Sequence, residues 1–135
     1  MSKSNTTEND VLLMALKGTD PSWRSGANLY LALYTADPGE AGTAITNETV
    51  YTYYARQTLA KATAWTDGGS TFSNADLIQF PVCGVTGATL TYAAIVTTSS
   101  GAGQILYSGQ LNSPLAVSSL IQPQFAIASL TVVED

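Results

Sequence analysis

The 135 residues include no histidine and one cysteine, with five Lys and Arg against ten Asp and Glu, for a net charge of −5. Losing histidine removes the commonest general acid–base group and metal ligand, and a single cysteine can neither close an internal disulfide nor build a Cys/His metal site. The charged share of 11 % is under half of the roughly 25 % usual for soluble domains, so hydroxyls and amides replace charge on a surface suited to packing against neighbours.

The length fits one domain with its own core. Residues 1–9 are polar, lack apolar periodicity and read as a flexible arm, leaving 10–135 as a single domain. Thr7 with Asp10 resembles a capping box, Val11 to Leu16 is a helix-forming run, and Gly18 suits the stop, which predicts an opening helix over 10–17. Asn28 to Thr35 then alternates Leu29, Leu31 and Leu33 against Tyr30, Ala32 and Tyr34; two apolar faces mark a central strand. An acidic loop at Asp37 to Gly42 follows.

Val50 to Ala60 reads as a strand with a bulge at Tyr53-Tyr54, and Asp67-Gly68-Gly69-Ser70 as a hairpin turn after Trp65. Short strands are expected at Thr71 to Ser73 and Asp76 to Phe80. Ala88 to Thr98 and Gln104 to Leu111 form a hairpin about Ser99 to Gly103. Phe125 to Val133 alternates as one long final strand. About eight short strands behind one short N-terminal helix predict an all-β protein, an antiparallel β-sandwich or jelly roll.

The chemistry of sites is sparse. Cys83 sits among apolar neighbours without cations to activate it, and reads as a buried hydrophobe. Asp67 and Asp76 could meet across a hairpin as a calcium or hydrolytic pair, although their spacing matches no defined loop. No catalytic, cofactor-binding or metal-ligating residue is therefore assigned, and no cofactor is expected. The cations Lys3, Lys17, Arg24, Arg56 and Lys61 are scattered, which argues against nucleic acid, and no apolar run approaches a membrane span. No secretory leader opens the chain, which predicts synthesis in a reducing cytoplasm. The aromatic and helical residues Val11, Leu12, Leu13, Trp23, Tyr30, Tyr34, Tyr51, Tyr53, Tyr54 and Trp65 are the candidate interface.

One ordered set of short motifs is informative: Leu29-Tyr30-Leu31-Ala32-Leu33-Tyr34-Thr35 with Asp37-Pro38 and Gly42, then Tyr54-Ala55-Arg56-Gln57, then Asn74 to Pro81, then Leu106-Tyr107 with Gly109 and Leu111. In this order the chain resembles a group of small structural proteins of tailed bacteriophages, some labelled tail fibre protein and others resembling capsid cement or decoration proteins with a jelly-roll fold. The resemblance implies a virion component and transfers no catalytic residue. The absence of coiled-coil heptads favours a cement protein on the outer head surface, bracing the major capsid protein and associating with itself as a homodimer or homotrimer. The alternative is a tail fibre or baseplate protein that recognises a host surface glycan through loops at Trp23, Asp37 to Gly42 and Trp65. Deleting residues 1–17 is expected to leave the sandwich folded.

Overall fold

In the computed structural model residues 1–134 are described; Asp135, the last residue of the expected 10–135 domain, lies outside them. The elements run β1 (Ser2–Lys3), α1 (Asn5–Lys17), α2 (Ser22–Ser25), β2 (Asn28–Tyr34), β3 (Gln57–Ala60), β4 (Trp65–Asp67), β5 (Thr71–Asn74), β6 (Ile78–Gln79), β7 (Ala88–Val96), β8 (Ile105–Val117), β9 (Gln124–Phe125) and β10 (Thr131–Val133). Every strand pair is antiparallel. One sheet has the order β1-β8-β7-β2-β3, and the opposing layer is split into β10-β5-β4 and β6-β9. The fold is an all-β sandwich with one short N-terminal helix.

The period-two pattern of β2 explains the layering. Leu31 and Leu33 enter the main core with Leu59, Leu90, Ala93, Ile95 and Val117 of the same sheet, against Ile78, Phe80, Cys83 and Leu130 of the other layer. Ala32 and Tyr34 point the opposite way into a smaller cluster with Ala44, Ala94, Val96 and Ile105. A strand apolar on both faces has to be central, and β2 lies between β7 and β3. The expected β7–β8 hairpin is present, but its facing is reset along its length. Leu90 pairs with Leu115 while Tyr92 pairs with Gln110, so several β8 residues bulge opposite Thr91. Leu90 therefore shares the core face with Ala93 and Ile95 rather than with Ala94.

Three expectations are corrected. First, the N-terminus is not a free arm. Ser2 and Lys3 pair with Ser108 and Tyr107, and Ser4, not Thr7, caps a helix that begins at Asn5 rather than residue 10. The Ser4 and Thr7 hydroxyls both donate to the Ile105 carbonyl, at 2.5 and 3.0 Å, which fixes the cap to the sheet. Gly18 does close the helix in a left-handed conformation (φ 64°) that residues with a Cβ seldom adopt.

Second, Val50 to Ala60 is strand only from Gln57. Tyr53 has φ 76°, and the Tyr54 amide closes a turn onto the Tyr51 carbonyl. Third, the long final strand is broken into β9 and β10, which pair with different partners. Buried Asn74 makes the break: its amide donates to the carbonyls of Asp76 and Ala126 while its oxygen accepts from the Leu130 N–H. These bonds satisfy the backbone where the chain crosses from one small sheet to the other.

Candidate binding surfaces

The candidate interface residues separate by burial. Tyr34 and Tyr51 are core residues, and Tyr54 is half-buried beside them. Their hydroxyls donate inward, Tyr34 to the Ala44 carbonyl, Tyr51 to the Pro81 carbonyl and Tyr54 to Glu48 Oε1. Tyr51 meets Tyr54 edge-on at 5.4 Å, and Tyr54 stacks on Phe80 at 6.3 Å. Burial pushes the Tyr51 phenol up to about 12 and drives those of Tyr34 and Tyr54 still further above the ordinary tyrosine value. Assigning these three to a contact surface is therefore corrected. A strand with two apolar faces next to a tyrosine-rich turn places phenols inside wherever a carbonyl or carboxylate is at hand.

Tyr30 is half-buried against the smaller cluster. Trp23 is half-buried too, and its indole N–H donates to Asp10 Oδ2 at 2.9 Å, which ties the short α2 turn to α1. On α1, Val11 and Leu13 are half-buried while Leu12 and Leu16 are exposed. Tyr53 is the one candidate tyrosine that is fully outward, at 75 % exposure. Asp67 and Asp76 are not brought together. Asp67 pairs with Phe72 at the turn end of the β4–β5 hairpin, whereas Asp76 follows Asn74 at its far end.

Trp65 lies in a cleft of about 280 Å³ between the two layers. Leu29, Ile95 and Tyr107 come from the five-stranded sheet, and Trp65, Phe72 and Val132 from the β10-β5-β4 sheet. Its mouth carries Ser70 and Glu134. The Tyr107 hydroxyl donates to Glu134 Oε2 at 2.7 Å, and Lys3 pairs with Oε1. The Lys3 ammonium, followed by the Tyr107 hydroxyl, holds the Glu134 carboxyl below its usual value, so a carboxylate stands at the rim. Apolar and aromatic walls with acceptors at the mouth suit a ring that has one apolar face and hydroxyls at its edge. Tyr107 stood out in the sequence only within the Leu106-Tyr107 motif; Phe72 and Glu134 did not, because each is an ordinary strand or terminal residue until three strands converge.

A sequence model described as Podophage GP4 fiber I protein gp80 matches residues 2–133. The chain belongs to that family. No curated protein matches it. Membership makes it a bacteriophage virion structural protein. The gp80 match runs from β1 to β10, so the N-terminal strand and helix belong to the family's unit together with the sandwich. Among the motifs read in the sequence, Arg56 has the clearest work in this gp80-family fold. Its guanidinium grips both Glu48 oxygens at 2.7 and 2.8 Å and donates to Thr98 and to the Gly101 carbonyl. That network binds the loop before residue 49 to the β7–β8 turn, a structural role.

Proposed function

We propose that this protein is a building block of a podophage tail-fibre apparatus that acts by binding, without catalysis. The observation that carries the reading is the extent of the fiber I match, which takes in every strand of the sandwich. The capsid-cement role and its major-capsid partner, expected from compactness and missing heptads, draw no support from that family description. A compact sandwich serves equally well as a joint or knob in a fibre. Non-catalytic action is supported by the lack of histidine and by a buried Cys83 whose sulfur faces the Gly84 and Thr86 carbonyls. A role away from nucleic acid is supported by four of the five cations being engaged: Lys3, Arg24 and Arg56 with carboxylates, Lys61 with the Trp23 and Arg24 carbonyls. Among the described residues no helix is long and apolar enough to cross a membrane.

The cleft at Trp65 favours contact with a host surface glycan through stacking on an aromatic wall. Gold-labelled antibody against the protein should decorate the tail or its fibres in intact virions; label spread over the head lattice would restore the cement reading. In the same preparation, binding of purified protein to host polysaccharide should fall at least about tenfold in Trp65→Ala, the loss expected of an aromatic anchor.

A further inference from the structure

The charges of this chain are confined to part of it. From Leu77 to Val133 there is not one Asp, Glu, Lys or Arg, and Thr49 to Ala55 is likewise uncharged. These two stretches meet at one end of the sandwich. The Gly84 amide donates to the Thr52 carbonyl and the Thr52 amide to the Thr86 carbonyl. On the other side the Cys83 amide donates to the Ile121 carbonyl and the Leu120 amide to the Cys83 carbonyl. Three backbone segments thus lie side by side, and their outward side chains are large and apolar. Val85 is 90 % exposed, Val50 88 %, Leu120 83 % and Tyr53 75 %, with Val82 and Ile121 partly exposed alongside.

Two of these residues are held there against backbone preference. Tyr53 and Leu120 have φ of 76° and 70°, a left-handed conformation that bulky side chains disfavour and that persists only when the surroundings impose it. Gly84 makes room for one of them. A Cβ there would come within 2.8 Å of the Tyr53 ring, so the ring lies against bare backbone. An aromatic among aliphatic neighbours is the usual composition of an energetic centre in an interface.

We propose that this end of the sandwich is a homotypic interface, its partner a second copy of the same chain. The argument for that occupant is electrostatic. Two copies each carrying −5 repel each other least where the apposed segments bring no carboxylate of their own, and the three segments of this end carry none. The nearest charges in sequence, Glu48 and Arg56, neutralise each other at 2.7 Å. A strongly charged partner would find nothing here to complement it. The interface is independent of whether the protein sits on head or tail.

The test is sedimentation velocity on the full chain across a wide concentration range at physiological salt, with Leu120→Asp and Val85→Asp as variants. Aspartate tolerates the left-handed backbone at 120, so Leu120→Asp keeps the fold while placing a charge in the contact. Self-association of the native chain is expected, weakened at least about tenfold by either variant, with thermal melting unchanged. Leu16→Asp, on the exposed side of α1, should leave it intact. A native chain that stays monomeric across the concentration range, or variants that associate normally, would overturn the proposal.

Discussion

Arg56 shows how one buried side chain can hold three loops. Its side chain is 2 % exposed and all its donors are used: two on Glu48, two on Thr98 and one on the Gly101 carbonyl. Tyr54 completes the set, donating to Glu48 while accepting from the Leu33 amide. Removing one partner of a buried pair leaves the other uncompensated, which costs about 3–5 kcal/mol. Arg56→Met is therefore expected to lower the unfolding free energy, read from urea titration, by that amount, because Glu48 would lose its bidentate partner. A shift below 1 kcal/mol would mean that water already reaches Glu48. The Tyr-Ala-Arg-Gln motif was visible in the sequence, but its partner was not. Glu48 stands in an irregular loop with no periodicity to place it, and the Thr98 and Gly101 carbonyls carry no side-chain signal at all.

At the scale of elements, legibility followed local chemistry. The β4–β5 and β7–β8 hairpins and the Gly18 stop were readable because turn residues and alternation act over a few positions. The break between β9 and β10 was not readable, since the cause is Asn74, more than fifty residues away in the chain. The same holds for the N-terminus, where a polar stretch looked free because its contacts are hydroxyls on a distant carbonyl. Beyond the Ser4 and Thr7 bonds to Ile105, Gln104 donates to both Thr7 Oγ1 and Asp10 Oδ2, and the Asn5 amide to the Glu40 carbonyl. Deleting residues 1–17 would strip β1 from β8, expose the edge at Tyr107 and Ser108, and unpair Lys3 from Glu134. The truncated chain is expected to melt lower and to scatter light on warming. Melting and scattering like those of the full chain would reinstate the independent arm.

Across the whole molecule, charges sit on one portion and the chain from Leu77 to Val133 has none, yet that stretch and its partners hold phenols whose burial makes stability depend on pH at the alkaline end. Desolvation raises Tyr34, Tyr54 and Tyr107 well above the ordinary value of about 10, with Glu48 and Glu134 adding to the effect, and it lifts Tyr51 to about 12. In the unfolded chain all four ionise near 10. Below that pH both states keep their protons and the stabilisation is fully present. Above it the unfolded state releases protons that the native state retains, so stability falls as pH rises, by up to about 1.4 kcal/mol per pH unit for each buried phenol. The melting temperature should hold steady up to pH 9 and drop steeply beyond 10. Tyrosinate absorbance at 295 nm from these phenols should rise together with the loss of far-ultraviolet dichroism. Full tyrosinate formation at pH 11 with the strand signal intact would show that water reaches the Tyr34, Tyr51 and Tyr54 hydroxyls, and that the carbonyl and carboxylate contacts assigned to them do not persist in solution.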